Sequence, residues 1–111
     1  MRLADFVIDF LEQKKIDTVF TVSGGGSIFL CDAMYKAKKL KYVSCHHEQA
    51  VSFAAESYSR IKNKPGAAII TTGPGGTNCT TGVACCWIDS VPTMFISGQV
   101  YLNQTIGNSG L

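Results

Sequence analysis

The sequence predicts an α/β domain of three layers, in which a doubly wound, mostly parallel sheet lies between two layers of helices. Segments with helical and strand periodicity alternate along the 111 residues, as in β-α-β units. Such units cross over in a right-handed sense and build a parallel sheet that is covered on both faces. The strand-like segment at residues 67–72 is apolar until its last two residues, which is typical of a parallel strand buried on both sides.

Two predicted helices flank the first predicted strand. Residues 2–15 carry apolar side chains at the spacing of one helix face, namely Leu3, Phe6, Val7, Phe10 and Leu11. Residues 18–22 are β-branched and aromatic, and they predict a strand that stops at the glycines of residues 24–26. Ser27 can cap the second helix, which we expect to reach about Lys38.

The rest of the chain continues the alternation. The remaining predicted elements are a strand, a helix, a strand, a helix and a strand at residues 41–45, 50–61, 67–72, 77–88 and 93–97. The turn residues 63–66, Asn-Lys-Pro-Gly, end the third helix. From Gly98 onwards the chain is polar, and we expect it to be irregular. Because a four-stranded sheet of this kind usually continues, we expect the sheet to be incomplete and the chain to be a fragment of a larger domain.

Composition excludes several classes of protein. Hydrophobic residues make up 46% of the chain and charged residues 16%, which excludes intrinsic disorder, and a net charge of +2 lacks the basic bias of nucleic-acid-binding proteins. No apolar run approaches the roughly 20 residues of a membrane span, and Asp5 and Asp9 argue against a signal peptide. The five cysteines include no C-x-x-C pair, so we expect a reduced, cytoplasmic protein in which Cys79, Cys85 and Cys86 fill the core.

Chemistry is expected where the strands end, because ligands of open α/β sheets bind beyond the carboxyl ends of the strands. Three segments fall there: the turn at residues 23–26, the sequence His46-His47-Glu48, and the loop at residues 73–78. Both glycine-rich segments lack the last glycine of G-x-G-x-x-G and the Gly-Lys-Ser/Thr of a P-loop. Two interpretations therefore stay open: loops that bind phosphate, or glycines that permit tight strand-to-helix turns.

Glu48 is the most informative ionisable residue. Near the start of a helix the backbone dipole stabilises a carboxylate by roughly 0.3–1 kcal/mol. Apolar neighbours such as Ala50 and Phe53 suggest burial, which raises a carboxyl pKa by roughly 3–5 when it is complete. If burial prevails, Glu48 can share a proton near pH 7; otherwise it is one of the acids that commonly begin helices. Of His46 and His47, we expect one to be packed and the other to line a cleft.

A collinear set of short motifs resembles one known family. In chain order the motifs are VFTVSGG from residue 19, HEQA from 47, AAESYSR from 54, TGPGGTN from 72, DSVP from 89 and ISGQV from 96. Together they resemble the N-terminal pyrimidine-binding domain of thiamine-diphosphate-dependent enzymes, and within that family the large subunits of acetolactate synthases. The resemblance covers nearly the whole chain. It implies the thiamine-diphosphate-binding fold and an enzyme that decarboxylates and joins 2-oxo acids.

The resemblance implies a catalytic role for Glu48. In this family a glutamate at this place hydrogen-bonds ring nitrogen N1′ of the cofactor's aminopyrimidine. Proton sharing there favours the 4′-imino tautomer, whose nitrogen removes the proton from C2 of the thiazolium. The cofactor carries the carbanion chemistry, and the protein supplies position and electrostatics.

The resemblance also implies which residues bind the cofactor. Val22, Ser23 and Gly24 correspond to a turn that contacts the pyrimidine, and Pro74 and Asn78 match positions beside it. Relatives more often carry proline where this chain has Ser23, which indicates a divergent branch. We expect no metal ligand in this chain, because the family holds the diphosphate through Mg²⁺ at a Gly-Asp-Gly…Asn stretch of another domain, and the sequence lacks that stretch.

The resemblance finally implies an assembly. Residues 1–111 are then the N-terminal pyrimidine-binding domain of a longer multidomain enzyme, which can also bind FAD. In the family the active site lies between two subunits, so we expect a homodimer or tetramer for the parent and no turnover by this chain alone. Two alternatives stay open: a module that binds nucleotides or phosphate at its glycine turns, and a non-catalytic remnant that dimerises with a full-length relative.

Overall fold

Four parallel strands form one sheet in the computed structural model, which describes residues 1–109. The strands are β1 (Thr18–Thr21), β2 (Lys41–Ser44), β3 (Gly66–Ile70) and β4 (Thr93–Ser97), in the spatial order β2-β1-β3-β4. The register pairs Thr18 with Lys41, Val19 with Ala67, and Ala67 with Met94. The winding therefore reverses between β1 and β3, and the predicted α/β class with a parallel sheet is confirmed.

The helices cover the two faces of the sheet in pairs. They are α1 (Leu3–Gln13), α2 (Ile28–Lys36), α3 (Glu48–Lys62), α4 (Pro74–Asn78), α5 (Thr80–Ile88) and α6 (Ile106–Ser109). Side chains of α1 and α2 pack with Val19 and Ile69 in one core cluster, whereas side chains of α3 pack with Ala68 and Ile70 in a second. Successive residues of a strand point to opposite faces, so β3 contributes to both clusters and is buried along its whole length.

The close contact between α3 and β3 depends on a glycine. A Cβ built on Gly66 would lie 2.1 Å from the backbone oxygen of Ala55, a fully buried residue of α3. Only a residue without a side chain fits at this point. The first residue of β3 thus sets how near α3 lies to the sheet.

The second helix differs from its expected form at both ends. α2 ends at Lys36 and not near Lys38, and Ser27 at its start makes no capping hydrogen bond, because its hydroxyl donates to the Gly24 carbonyl oxygen instead.

Other sequence-based expectations are met or changed as follows. α3 begins at Glu48, as expected for that residue and ahead of the apolar periodicity that starts at Ala50, and His47 caps it by accepting the Gln49 N–H at Nδ1. Residues 74–78, expected as a loop, form α4, since proline at the first helical position is pre-set for a helix. The segment after Gly98, expected to be irregular, contains a 3₁₀ turn (Leu102–Gln104) and α6. The last two residues of the predicted irregular segment, 110 and 111, lie outside the described residues.

None of the helices within residues 1–109 combines the length and apolar character that crossing a membrane requires.

Candidate functional site

Glu48 lies at the carboxyl end of the sheet as the first residue of α3. Its side chain is half-buried, and the Nδ2 amide of Asn78, the last residue of α4, donates a hydrogen bond to Oε2 at 2.9 Å. The other carboxylate oxygen faces Gly75, where a Cβ would lie 3.4 Å from Oε1. The start of α3 and the loop after β3 therefore meet at this carboxylate.

Of the two alternatives for Glu48, prevailing burial and an ionised acid at a helix start, the structure favours the second. The Asn78 amide and the backbone N–H at the helix start hold the pKa of Glu48 below its ordinary value, and they outweigh the opposing effect of burial. The physical reason is the partial exposure of the side chain, since Gln49 and Ala50 beside it are exposed and leave one side open to water. Glu48 is thus ionised at neutral pH.

The backbone of Glu48 is fixed by a cysteine. The buried thiol of Cys79, which lies between α4 and α5, donates to the Glu48 carbonyl oxygen at 3.2 Å. Burial, with a smaller contribution from the Glu48 charge, raises the pKa of Cys79 to about 11, so the thiol keeps the proton that it donates. Cys79 and Cys86 are buried and Cys85 is half-buried, in agreement with their expected place in the core.

The two glycine-rich turns lie side by side, and Thr71 fills the space between them. A Cβ on Gly24 would lie 2.5 Å from Cβ of Thr71, and one on Gly75 would lie 2.7 Å from its Cγ2. The Gly26 N–H donates to Oγ1 of Thr71 at 3.1 Å. Of the two interpretations of the glycines, close strand-to-helix packing is the one that these distances support.

The other predicted site residues are distributed around these turns. Val22 is half-buried and packs on the second core cluster. Ser23 is exposed and lines a separate shallow depression of about 130 Å³ with Tyr42 and Ser44, on the β2 side. Pro74 is exposed at the start of α4. Of the predicted site residues, the structure therefore joins Glu48 and Asn78 by a hydrogen bond.

The histidines do not occupy the expected positions. Both His46 and His47 are exposed, so neither is packed in the core, and the side chain of His47 caps α3. Thr71 was not predicted as a site residue, because its only sequence signal is a polar residue at the end of an apolar strand. The hydrogen bond from Thr72 Oγ1 to Gln99 Oε1, which joins the ends of β3 and β4 at 2.8 Å, was not predicted either.

Comparison with known proteins identifies the family. The family model described as "Thiamine pyrophosphate enzyme, N-terminal TPP binding domain" matches residues 1–106. The chain belongs to this family. TPP, thiamine pyrophosphate, is the cofactor also called thiamine diphosphate, so the resemblance drawn from the motifs is confirmed.

The TPP-binding domain is similar to parts of acetolactate synthases. It is 42% identical over 97 residues to acetolactate synthase 3, chloroplastic, of Brassica napus, covering 87% of this chain and 15% of that protein. It is 36% identical over 100 residues to the acetolactate synthase large subunit of Haemophilus influenzae, covering 90% of this chain and 18% of that protein. The chain thus spans less than a fifth of the length of these curated relatives. The matches support the enzyme-domain interpretation and neither of the two alternatives.

The residues of the TPP-binding domain suit the aminopyrimidine end of this cofactor. Asn78 donates to one carboxylate oxygen of Glu48. The other oxygen can serve as the acceptor that a protonated ring nitrogen requires. A Cβ at Gly25 or at Gly73 would meet nothing within 4 Å, so there is open space beside both turns. Within residues 1–109, no cluster of three or more His, Cys, Asp or Glu side chains is arranged to hold a metal ion.

Proposed function

We propose that this chain is the aminopyrimidine-binding part of an acetolactate-synthase-like enzyme that decarboxylates 2-oxo acids and joins the products. One observation supports this most directly: in a chain of the TPP-binding family, a carboxylate at the start of α3 meets the glycine-rich segment that follows β3, through Asn78. When bound, thiamine diphosphate supplies a nucleophilic carbon and an electron sink for cleavage next to a carbonyl.

Glu48 is the catalytic residue of this proposal. Asn78 holds Oε2 and so orients the carboxylate, which leaves Oε1 to hold the proton shared with N1′ of the aminopyrimidine. Exclusion of water from Glu48 raises its pKa, because burial disfavours the charged form. The Glu48 side chain therefore has a low pKa while its site is open to water, and it can hold a proton once the site is covered. Val22, Ser23, Gly24 and Pro74 are proposed to contact the pyrimidine ring.

The remaining requirements of the reaction are assigned outside this chain. We propose that residues 1–111 form the N-terminal domain of a longer enzyme, whose other cofactor domain binds the diphosphate through Mg²⁺ and which can also carry FAD. A homodimer or tetramer is supported by apolar side chains that lie exposed on α3 and α5, namely Ile61, Val83, Trp87 and Ile88. Five free thiols support a reducing, cytoplasmic location.

The test is Glu48→Gln in the full-length protein that carries this domain. We expect acetolactate formation from pyruvate, in the presence of thiamine diphosphate and Mg²⁺, to fall by at least about 100-fold, as is typical when a general acid–base group is lost. The matched control is Glu56→Gln, the same change two turns further along α3, where the carboxylate pairs with Arg60. This control should retain turnover.

Circular dichroism of both variants separates loss of chemistry from loss of folding. Normal turnover by a folded Glu48→Gln protein would contradict the proposed role. Equal losses in both variants would show that the change acts on α3 rather than on the reaction.

A further inference from the structure

Thr71 occupies a position that no motif had marked. It is the first residue after β3, it is half-buried, and its side chain lies between the turn at residues 23–26 and the turn at residues 73–78. Its backbone is held by β4, because the Ser97 hydroxyl donates to the Thr71 carbonyl oxygen at 3.0 Å. The side chain therefore projects from a fixed point of the sheet.

The hydroxyl of Thr71 fixes the first turn. Oγ1 accepts the Gly26 N–H at 3.1 Å, and this bond joins residues that are 45 positions apart in the chain. The backbone of Gly24 is extended, with φ −168°, a conformation that any residue adopts. Glycine is required at this position for a different reason: a Cβ there would lie only 2.5 Å from Thr71 Cβ, which is too close. The first turn is therefore shaped to receive Thr71.

The methyl group of Thr71 determines the position of the second turn. Gly75 of α4 is buried, and a Cβ on it would lie 2.7 Å from Thr71 Cγ2 and 3.4 Å from Glu48 Oε1. The Thr71 methyl group and the Glu48 carboxylate thus both lie on the side of Gly75 where a side chain would project. Because Asn78 ends the same short helix, the position of Gly75 also decides where the Asn78 amide meets Glu48.

We infer that Thr71 is a positioning residue that holds the two glycine turns at the separation required by the aminopyrimidine. The inference rests on the proposed function, because the turns matter to catalysis only if they bind that ring. Thr71 need not touch the cofactor: it acts through Gly26 on one turn and through Gly75 on the other. It is a different kind of residue from Glu48, whose removal stops proton transfer itself.

The test compares Thr71→Val with Thr71→Ser in the full-length protein. Valine keeps the shape and loses the acceptor for the Gly26 N–H, whereas serine keeps the acceptor. Without cofactor, we expect hydrogen exchange of the Gly26 amide to be about tenfold faster in Thr71→Val and close to wild type in Thr71→Ser. By calorimetry, thiamine diphosphate should bind about fivefold more weakly to Thr71→Val, the effect of one lost hydrogen bond, and within about twofold of wild type to Thr71→Ser.

Thr18→Val is the matched control, because it removes a hydroxyl from the opposite end of the sheet, where Thr18 donates to Asp17. It should change neither the Gly26 amide nor cofactor affinity. Retained Gly26 protection in Thr71→Val, or lost protection with unchanged affinity, would overturn the inference. Equal weakening in Thr71→Val and Thr18→Val would overturn it as well.

Glu48→Gln in the same series distinguishes this inference from the proposed function. If Glu48→Gln is inactive and Thr71→Val binds cofactor normally, only the role of Thr71 is wrong. If Glu48→Gln turns over normally, the proposed function fails, and with it the significance of Thr71 for the cofactor.

Discussion

At the scale of single residues, the hydrogen bond from Asn78 lowers the pKa of Glu48 by more than partial burial raises it. The Asn78 amide donates to Oε2 and is the largest of the effects that lower the pKa of Glu48. The hydrogen bond is stronger to the ionised form, so the pair stabilises the fold most while Glu48 is charged.

This gives a pH dependence with a definite sign. The folded pKa of Glu48 lies below its unfolded value of 4.5, so the stabilisation is complete above about pH 4.5 and is lost as the pH falls through the folded value. Asn78→Ala should raise the pKa of Glu48, as measured by NMR titration of its side-chain carboxyl carbon. The difference in unfolding free energy between wild type and variant should shrink towards zero in acid.

Asn103→Ala, an exposed amide outside the site, serves as the comparison and should leave the titration of Glu48 unchanged. If the pKa of Glu48 is the same in Asn78→Ala as in wild type, the backbone at the start of α3, and not the Asn78 amide, holds the carboxylate in its charged form.

At the scale of elements, α3 contacts the sheet at a distance that leaves no room for a methyl group. Gly66→Ala would bring Cβ to 2.1 Å from the Ala55 carbonyl oxygen, and a helix backbone cannot yield as a flexible side chain does. We expect the unfolding free energy to fall by about 3 kcal/mol, the upper part of the usual range for overpacking. Urea denaturation measures this change. The control is Gly107→Ala, because a Cβ at Gly107 would meet nothing within 4 Å.

A Gly66→Ala protein within about 0.5 kcal/mol of wild type, the usual spread of neutral surface substitutions, would show that α3 can shift away from β3 at little cost. In that case Glu48, about two turns before Ala55 at the start of α3, would not be held by this contact.

Most elements were predictable because periodicity is local. The apolar run of β3 and the one-face pattern of α1 contain the signal within a few residues, and both elements appear where expected. The exposure of Glu48 was not predictable, since Ala50 and Phe53 describe its neighbours in sequence and not what covers the start of α3. Thr71 was missed because its partner Gly26 is 45 residues away, and a single sequence does not show such contacts.

At the scale of the whole molecule, the chain presents a site that is open on one side. Glu48 is only half-buried, and large apolar residues on α5 face outwards, with Trp87 85% exposed. Under the proposed function, Glu48 must lose its water to hold a proton, so further protein has to cover it. We expect another domain of the full-length enzyme to supply that cover and thereby to raise the pKa of Glu48.

The 111-residue chain by itself should therefore produce no acetolactate from pyruvate, even with thiamine diphosphate and Mg²⁺. Under the proposed function, another domain binds the diphosphate through Mg²⁺, and in this chain alone Glu48 is only half-buried and stays in contact with water. Colorimetric detection of acetolactate, with the full-length enzyme as positive control, provides the measurement. Product above the level of a protein-free blank would contradict this expectation.

The strand order has a consequence for synthesis on the ribosome. β1 and β3 are neighbours, yet α2, β2 and α3 are made between them, so Glu48 emerges well before Asn78. When only the first 65 residues have left the ribosome, the chain contains Glu48 and the first glycine turn. It does not yet contain Thr71, which holds that turn through the Gly26 N–H. The hydrogen bond between Asn78 and Glu48 can form only after the segment that follows β3 has been made, and until then the growing polypeptide carries a carboxylate with no amide to orient it.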